Sequence, residues 1–152
     1  MNAIRRTTLK AAGAAFLLAS GLLQPLRALA AGWNKAAFAS KTPADALKNI
    51  GASSTLESKD ILIEAPQIAE NGAVVPIEIM SNVPNTKSIA VIIEKNPFPL
   101  VAQFDFMEGA LPFLKINVKM GESSNVRVVA EAGGKHYTAV KEVKVTIGGC
   151  GG

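Results

Sequence analysis

The sequence is poor in the residues that most chemistry needs: among 152 there are one cysteine, one histidine, one tryptophan and one tyrosine. A single cysteine excludes any disulfide within the chain. Together with His136 it cannot supply the three or four soft ligands of a zinc or copper centre. His136, beside Tyr137 at the start of a strand pattern, reads as a surface residue, and Met80, Met107 and Met120 are spaced singly and read as packing. No G-x-S-x-G elbow is present, so hydrolysis through a serine has no recognisable seat. No glycine-rich phosphate loop opens a helix, since Ala132-Gly133-Gly134-Lys135 lies between strand patterns and reads as a hairpin turn. A membrane span is also missing: the apolar run Ala11 to Leu23 is shorter than the roughly 20 residues a bilayer core needs, and Gln24, Pro25 and Arg27 break it.

That run belongs to an export signal. Arg5, Arg6 and Lys10 give a basic head, Ala11 to Leu23 the apolar centre, and Ala28-Leu29-Ala30 an A-x-A cleavage site. Arg5-Arg6 with Leu9-Lys10 resembles the twin-arginine signal for folded proteins, with Thr8 in place of its usual phenylalanine. Residues 1–30 are therefore expected to be removed, placing the mature chain in the periplasm. The charge of the whole chain then loses its meaning: the signal holds four of the 16 cations (Arg5, Arg6, Lys10, Arg27) and no acid, so the remainder balances the 12 acids. A neutral body without a basic cluster gives no reason to expect nucleic acid or stable membrane association as a partner.

The mature chain divides by period. Thr42 suits an N-cap, Pro43 the first helical position and Asp45 the positive end of a helix running from 42 to 50, with Gly51 as its stop; a shorter helical piece covers 33 to 38. Trp33, Phe38, Leu47 and Ile50 are the helical side chains to bury. From Lys59 the period is two, with turn residues about every ten positions, giving about seven strands: 60–65, 74–81, 87–94, 100–106, 112–120, 125–132 and 136–147. Continuous apolar runs at Ile61–Ile63 and Ile89–Ile93 imply strands covered on both faces. Pro76, inside a strand pattern, implies an edge or a bulge. The fold class expected is all-β: an immunoglobulin-like antiparallel sandwich with a helical preface, residues 31–147.

What is left is residues 148–152, Gly148-Gly149-Cys150-Gly151-Gly152. Glycines on both sides remove side-chain barriers, so the one thiol is expected on a flexible arm reaching roughly 10 Å beyond the last strand. The nearest basic residue in sequence is Lys144, and the terminal carboxylate disfavours a thiolate. The thiol thus reads as a carried group whose activation comes from whatever binds it. A lone exported thiol also fits a structural module that dimerises through a Cys150 disulfide. An enzyme built from Glu94, Asp105 and Glu108 is a third reading, supported only by scattered carboxylates.

Three stretches resemble one known family. Ile68-Ala69-Glu70-Asn71-Gly72-Ala73-Val74-Val75-Pro76, then Glu94-Lys95-Asn96-Pro97 with Pro99-Leu100, and above all the ending Val143 to Gly152 are similar to SoxY, the carrier subunit of the Sox thiosulfate-oxidation system. The resemblance implies that the chain is not itself an enzyme and uses no cofactor. It implies that Cys150 holds thiosulfate-derived adducts covalently while partner enzymes act on them. SoxZ would be the heterodimer partner, with transient visits to SoxAX, SoxB and SoxCD.

Overall fold

Local signals place the two helices before any tertiary contact is considered. In the computed structural model, which describes residues 34–146, Asn34 accepts a hydrogen bond from Ala37 N (3.1 Å) and caps α1 (Lys35–Phe38). Thr42 caps α2 (Pro43–Asn49): its Oγ1 accepts from Asp45 N at 3.1 Å and donates to Asp45 Oδ2 at 2.7 Å, as the sequence predicts. Gly51 follows at φ 80° and ends the helical segment. Asn49 ties the pair together, its Nδ2 donating to Ala36 O (3.2 Å) and to Ser40 Oγ (3.0 Å). The expected signal peptide, Trp33, Ile147 and the arm residues Gly148, Gly149, Cys150, Gly151 and Gly152 lie outside the described residues.

All seven expected strands are present: β2 (Ile61–Glu64), β4 (Val75–Ser81), β5 (Thr86–Ile93), β6 (Leu100–Asp105), β7 (Phe113–Val118), β8 (Ser124–Ala132) and β9 (Lys135–Val145). Two more, β1 (Leu56–Glu57) and β3 (Ile68–Ala69), have two residues each and no period to reveal them. The larger sheet has the order β1-β9-β8-β5-β6, with β3 also on β9; the smaller is β2-β4-β7. The chain switches sheets repeatedly and builds an immunoglobulin-like sandwich. One departure from the expected pairing is that β1 and β3 lie parallel to β9. The β8–β9 connection is the expected hairpin turn: Gly133 (φ 58°) and Gly134 (φ 73°) both take the positive φ that a tight two-residue turn of this hand needs.

The core sits in two layers because β5 is covered on both faces. Ile89, Val91 and Ile93 point between the sheets, where they meet Val75, Ile77 and Ile79 of β4 and Val126 and Val128 of β8. Ala90 and Ile92 point the other way, against Ala37, Ala46 and Ala52 of the helical preface, with Phe38, Leu47 and Ile50 packed around them. The small alanines let the helices lie close on the sheet, a feature the large-residue pattern did not reveal. Ile61–Ile63, expected to be covered twice, is not: β2 is an edge strand, with Ile61 buried and Leu62 exposed. Pro76 lies in a central strand, but β2 pairs with β4 only as far as Glu64↔Glu78. At Pro76, opposite Asn117 of β7, the strand has a neighbour on one side only, which meets the edge requirement.

Candidate functional site

β9 leads from the sandwich towards residues 147–152, where the arm is expected. β9 lies between β8 on one side and β1 and β3 on the other, and it is held to its last residue. Lys144 N donates to Gln67 O (3.0 Å) and Thr146 N to Ala69 O (3.1 Å). Thr146 Oγ1 reaches Glu70 O at 3.3 Å. From the opposite side Ser123 closes on Val145, its Oγ accepting from Val145 N at 2.9 Å and lying 3.4 Å from Val145 O. Chain ends fray unless tied down. β9 and Thr146 after it are tied, up to a point four residues before Cys150.

Gly72 shows how tightly the clamp is packed. A side chain there would run into the carbonyl oxygen of Met120 and come within 2.8 Å of Val145 Cγ1, while Met120 N donates to Gly72 O at 2.7 Å. Glu70-Asn71-Gly72 is thus both a bend in the chain and one wall of the root. Asn71 Oδ1 accepts from Ala73 N (2.9 Å) and sets the bend.

A third group of residues braces the same end. Glu94 is half-buried: Arg127 Nε and Nη2 both lie on its Oε1, at 2.9 and 2.7 Å, while Asn125 Nδ2 donates to its Oε2 at 3.0 Å. Lys95 N donates to Ser124 Oγ (3.0 Å) and Asn96 Nδ2 to Lys119 O (2.8 Å), one residue before the Met120–Gly72 bond. The chain of contacts therefore runs from Asn96 through Lys119, Met120 and Gly72 to Val145. Residues from 68–76, 94–96 and 143–146, far apart in sequence, converge on the end of β9 that leads to residues 147–152.

The carboxylates offered as an enzymatic alternative do not converge. Asp105 pairs in register with Ser88, six residues from Glu94 along the chain, a separation of about 20 Å along a strand. Glu94 is engaged by Arg127 at the arm's end, whereas Asp105 and Glu108 border a crevice at the other. His136, expected on the surface, is half-buried instead. It borders a cavity of about 100 Å³ with Ser88, Gln103, Asp105 and Glu131. Gln103 Oε1 is buried with no hydrogen-bond partner. No group of three or more His, Cys, Asp or Glu placed to hold a metal occurs among the described residues. Met120 is core, as expected, but Met107 is 87% exposed in the β6–β7 connection and does not pack.

The family model for the sulfur oxidation protein SoxY matches residues 47–150. The chain belongs to the SoxY family. The match takes in every segment of the clamp and extends to Cys150 itself. Among solved structures, the sulfur carrier protein SoxY from Chlorobium limicola f thiosulfatophilum is 38% identical with a TM-score of 0.65, covering 74% of this chain and 99% of that one. A superoxide reductase (neelaredoxin) from Ignicoccus hospitalis is 19% identical, with a TM-score of 0.50 over 57% of this chain and 80% of that one; the likeness is one of fold alone. No curated protein matches the chain.

Proposed function

We propose that this chain is the sulfur carrier of a periplasmic Sox system, binding intermediates of thiosulfate oxidation covalently at Cys150 and presenting them to partner enzymes. Family membership and a close relative named as a sulfur carrier support the role. The observation that carries the reading to Cys150 is the extent of the family match, residues 47–150, which takes in the chain's one thiol; the strand before it is fixed through Thr146, and only Ile147 and two glycines separate that point from the thiol. Extended, those residues span about 14 Å to Cys150. A fixed base with a thin glycine tip suits a group that visits other proteins' active sites, and no side-chain base needs to travel with it.

The chemistry requires partners at each step. Joining the Cys150 thiol to the sulfane sulfur of thiosulfate forms one S–S bond and releases the thiol proton to solvent and two electrons, which a cytochrome complex such as SoxAX takes up. Hydrolysis of the terminal S–SO₃ bond by SoxB adds water, releases sulfate and two protons, and leaves a persulfide anion on Cys150. SoxCD, where present, oxidises that remaining sulfur. SoxZ is the stable partner in this scheme, and export through the twin-arginine route lets the folded pair cross together.

The test is intact-mass measurement of the protein from cells oxidising thiosulfate. Adducts confined to the C-terminal peptide are expected, together with loss of thiosulfate oxidation in a Cys150→Ser strain. A Cys150→Ser strain that oxidises thiosulfate at the normal rate overturns the proposal.

A further inference from the structure

The two sheets of the sandwich are treated differently on their outer faces. The outer face of the larger sheet is packed by α1 and α2 through Ala37, Ala46 and Ala52. The outer face of β2-β4-β7 has no covering element among the described residues. An antiparallel sheet with one face in water alternates apolar inward and polar outward, and this sheet breaks the rule along one row. Leu62 of β2 pairs in register with Met80 of β4, and Met80 with Phe113 of β7. Their inward neighbours are the core residues Ile61, Ile79 and Leu114, so by alternation these three point outward, as a strip across the whole sheet. Leu62 is 49% and Phe113 41% exposed. Val74 and Pro76 extend the apolar surface at the other end of β4, both exposed. A contiguous apolar surface on a sheet face marks an interaction site more often than an isolated exposed residue does.

Between these apolar zones runs one charged row, and its charges are unequal. Glu64 pairs in register with Glu78, and Glu78 with Lys115. Lys115 Nζ lies 2.6 Å from Glu78 Oε1, so the single cation is already engaged. Glu64 faces a like charge directly across the strands, an unfavourable arrangement, and no ion pair to it occurs among the described residues. Covering this face with an apolar surface alone would bury an unpaired carboxylate at high cost. A second copy stacked on it would bring another net negative row.

The geometry points to this face as the docking surface for the chain's stable protein partner, one that presents an apolar sheet or helix face carrying a lysine or arginine set to meet Glu64. The inference rests on the reading that the chain works as one subunit of a two-subunit Sox carrier. It adds which surface makes the pair and what chemistry the partner must bring. β7 and the start of β4 lead directly into the Met120–Gly72 end of the sandwich, so a partner seated here stands beside the root of the arm.

The experiment uses the mature chain and the SoxZ subunit named above, with affinity read by calorimetry or interferometry at two salt concentrations. Leu62→Thr/Phe113→Thr keeps strand-forming side chains but removes the apolar strip, and is expected to weaken binding at least tenfold. Glu64→Lys is expected to weaken it as well and to flatten its salt dependence. Val140→Thr, exposed on the outer face of the other sheet, where Val140 pairs with Arg127 and Arg127 with the helix-facing Ile92, is expected to bind as the unaltered chain does. Thermal midpoints close to the parent for each variant establish that they fold. Normal binding by the Leu62/Phe113 variant overturns this assignment and leaves the two-subunit reading intact. Absence of binding by the unaltered chain overturns that reading, and this inference with it. A homodimer of the chain alone that Leu62→Thr/Phe113→Thr dissociates would make the occupant a second copy, and would also refute the assignment.

Discussion

Replacing Gly72 with alanine tests the clamp at its tightest point. The added methyl meets the Met120 carbonyl oxygen and approaches Val145 Cγ1 to 2.8 Å. The valine can turn, but the carbonyl is backbone and cannot yield without moving the 119–121 segment. That movement strains or breaks the 2.7 Å bond from Met120 N to Gly72 O and loosens the wall behind Val145. Overpacking of this kind costs about 1–3 kcal/mol, and a lost hydrogen bond about 1 kcal/mol more. A loss of about 3 kcal/mol corresponds to roughly 10–15 °C in thermal midpoint for a domain of this size. Hydrogen exchange should locate the effect, with the amides of Val145 and Thr146 losing protection beyond the global change. Gly109→Ala is the control: nothing lies within 4 Å of the added methyl, but φ is 79°, so backbone strain alone is expected to cost about 1 kcal/mol. A Gly72→Ala protein that melts within 2–3 °C of the parent, with unchanged exchange at Val145 and Thr146, refutes the reasoning.

Three other perturbations address the same architecture. Ser123→Ala removes the acceptor of Val145 N and should destabilise by about 1 kcal/mol in urea titration, with little change in slope. Arg127→Ala leaves the half-buried Glu94 carboxylate with Asn125 alone and should cost about 1–3 kcal/mol; Glu94→Gln/Arg127→Met should recover part of that loss. The hydrogen bond and then the charge of Glu78 raise the pKa of Lys115 above the ordinary lysine value. Because the folded value is the higher one, the pair's contribution is fully present below the ordinary lysine pKa and disappears as pH rises through the raised one. An NMR titration of the Lys115 ε-methylene signals should show the midpoint fall towards the ordinary value in Glu78→Gln.

The parts of the fold legible in the sequence are those written in side-chain period and capping chemistry. Thr42, Pro43 and Asp45 define the start of α2, and alternation in Val75-Pro76-Ile77-Glu78-Ile79 defines β4, because each depends on residue type at fixed spacing. Two matters were illegible for physical reasons. The run Ile61-Leu62-Ile63 has the same pattern as a doubly covered strand, and only the position of β2 at a sheet edge exposes Leu62. The clamp on the arm is built mostly from main-chain carbonyls of Gln67, Ala69 and Glu70, which every residue type supplies. Gly72 is its one visible trace, a glycine required by close approach to Met120 and Val145. Cys150 stands out from composition alone, since no rival thiol exists, but how far β9 is held before it depends on β3, a strand of two residues.

If Cys150 carries its cargo as proposed, the clamp's effect on loading is small. In the proposed carrier, where residues 147–150 act as a tether, releasing Val145 and Thr146 would lengthen that tether from four residues to six. Local concentration at a site the arm already reaches falls as about the three-halves power of tether length, so this change is worth only about twofold. Reach is therefore a poor explanation for so many bonds at the root. The clamp's larger effect is on the sandwich, where it closes β3 onto β9 and seals the Met120 end of the core. Variants that loosen it should then separate two measurements. Gly72→Ala and Ser123→Ala are expected to lower stability as above, yet load thiosulfate onto Cys150 within about twofold of the parent per folded molecule. Measured with the purified cytochrome and hydrolase partners at a temperature where both variants remain folded, a tenfold or greater loss of loading would show that the clamp aims the arm as well as anchoring it.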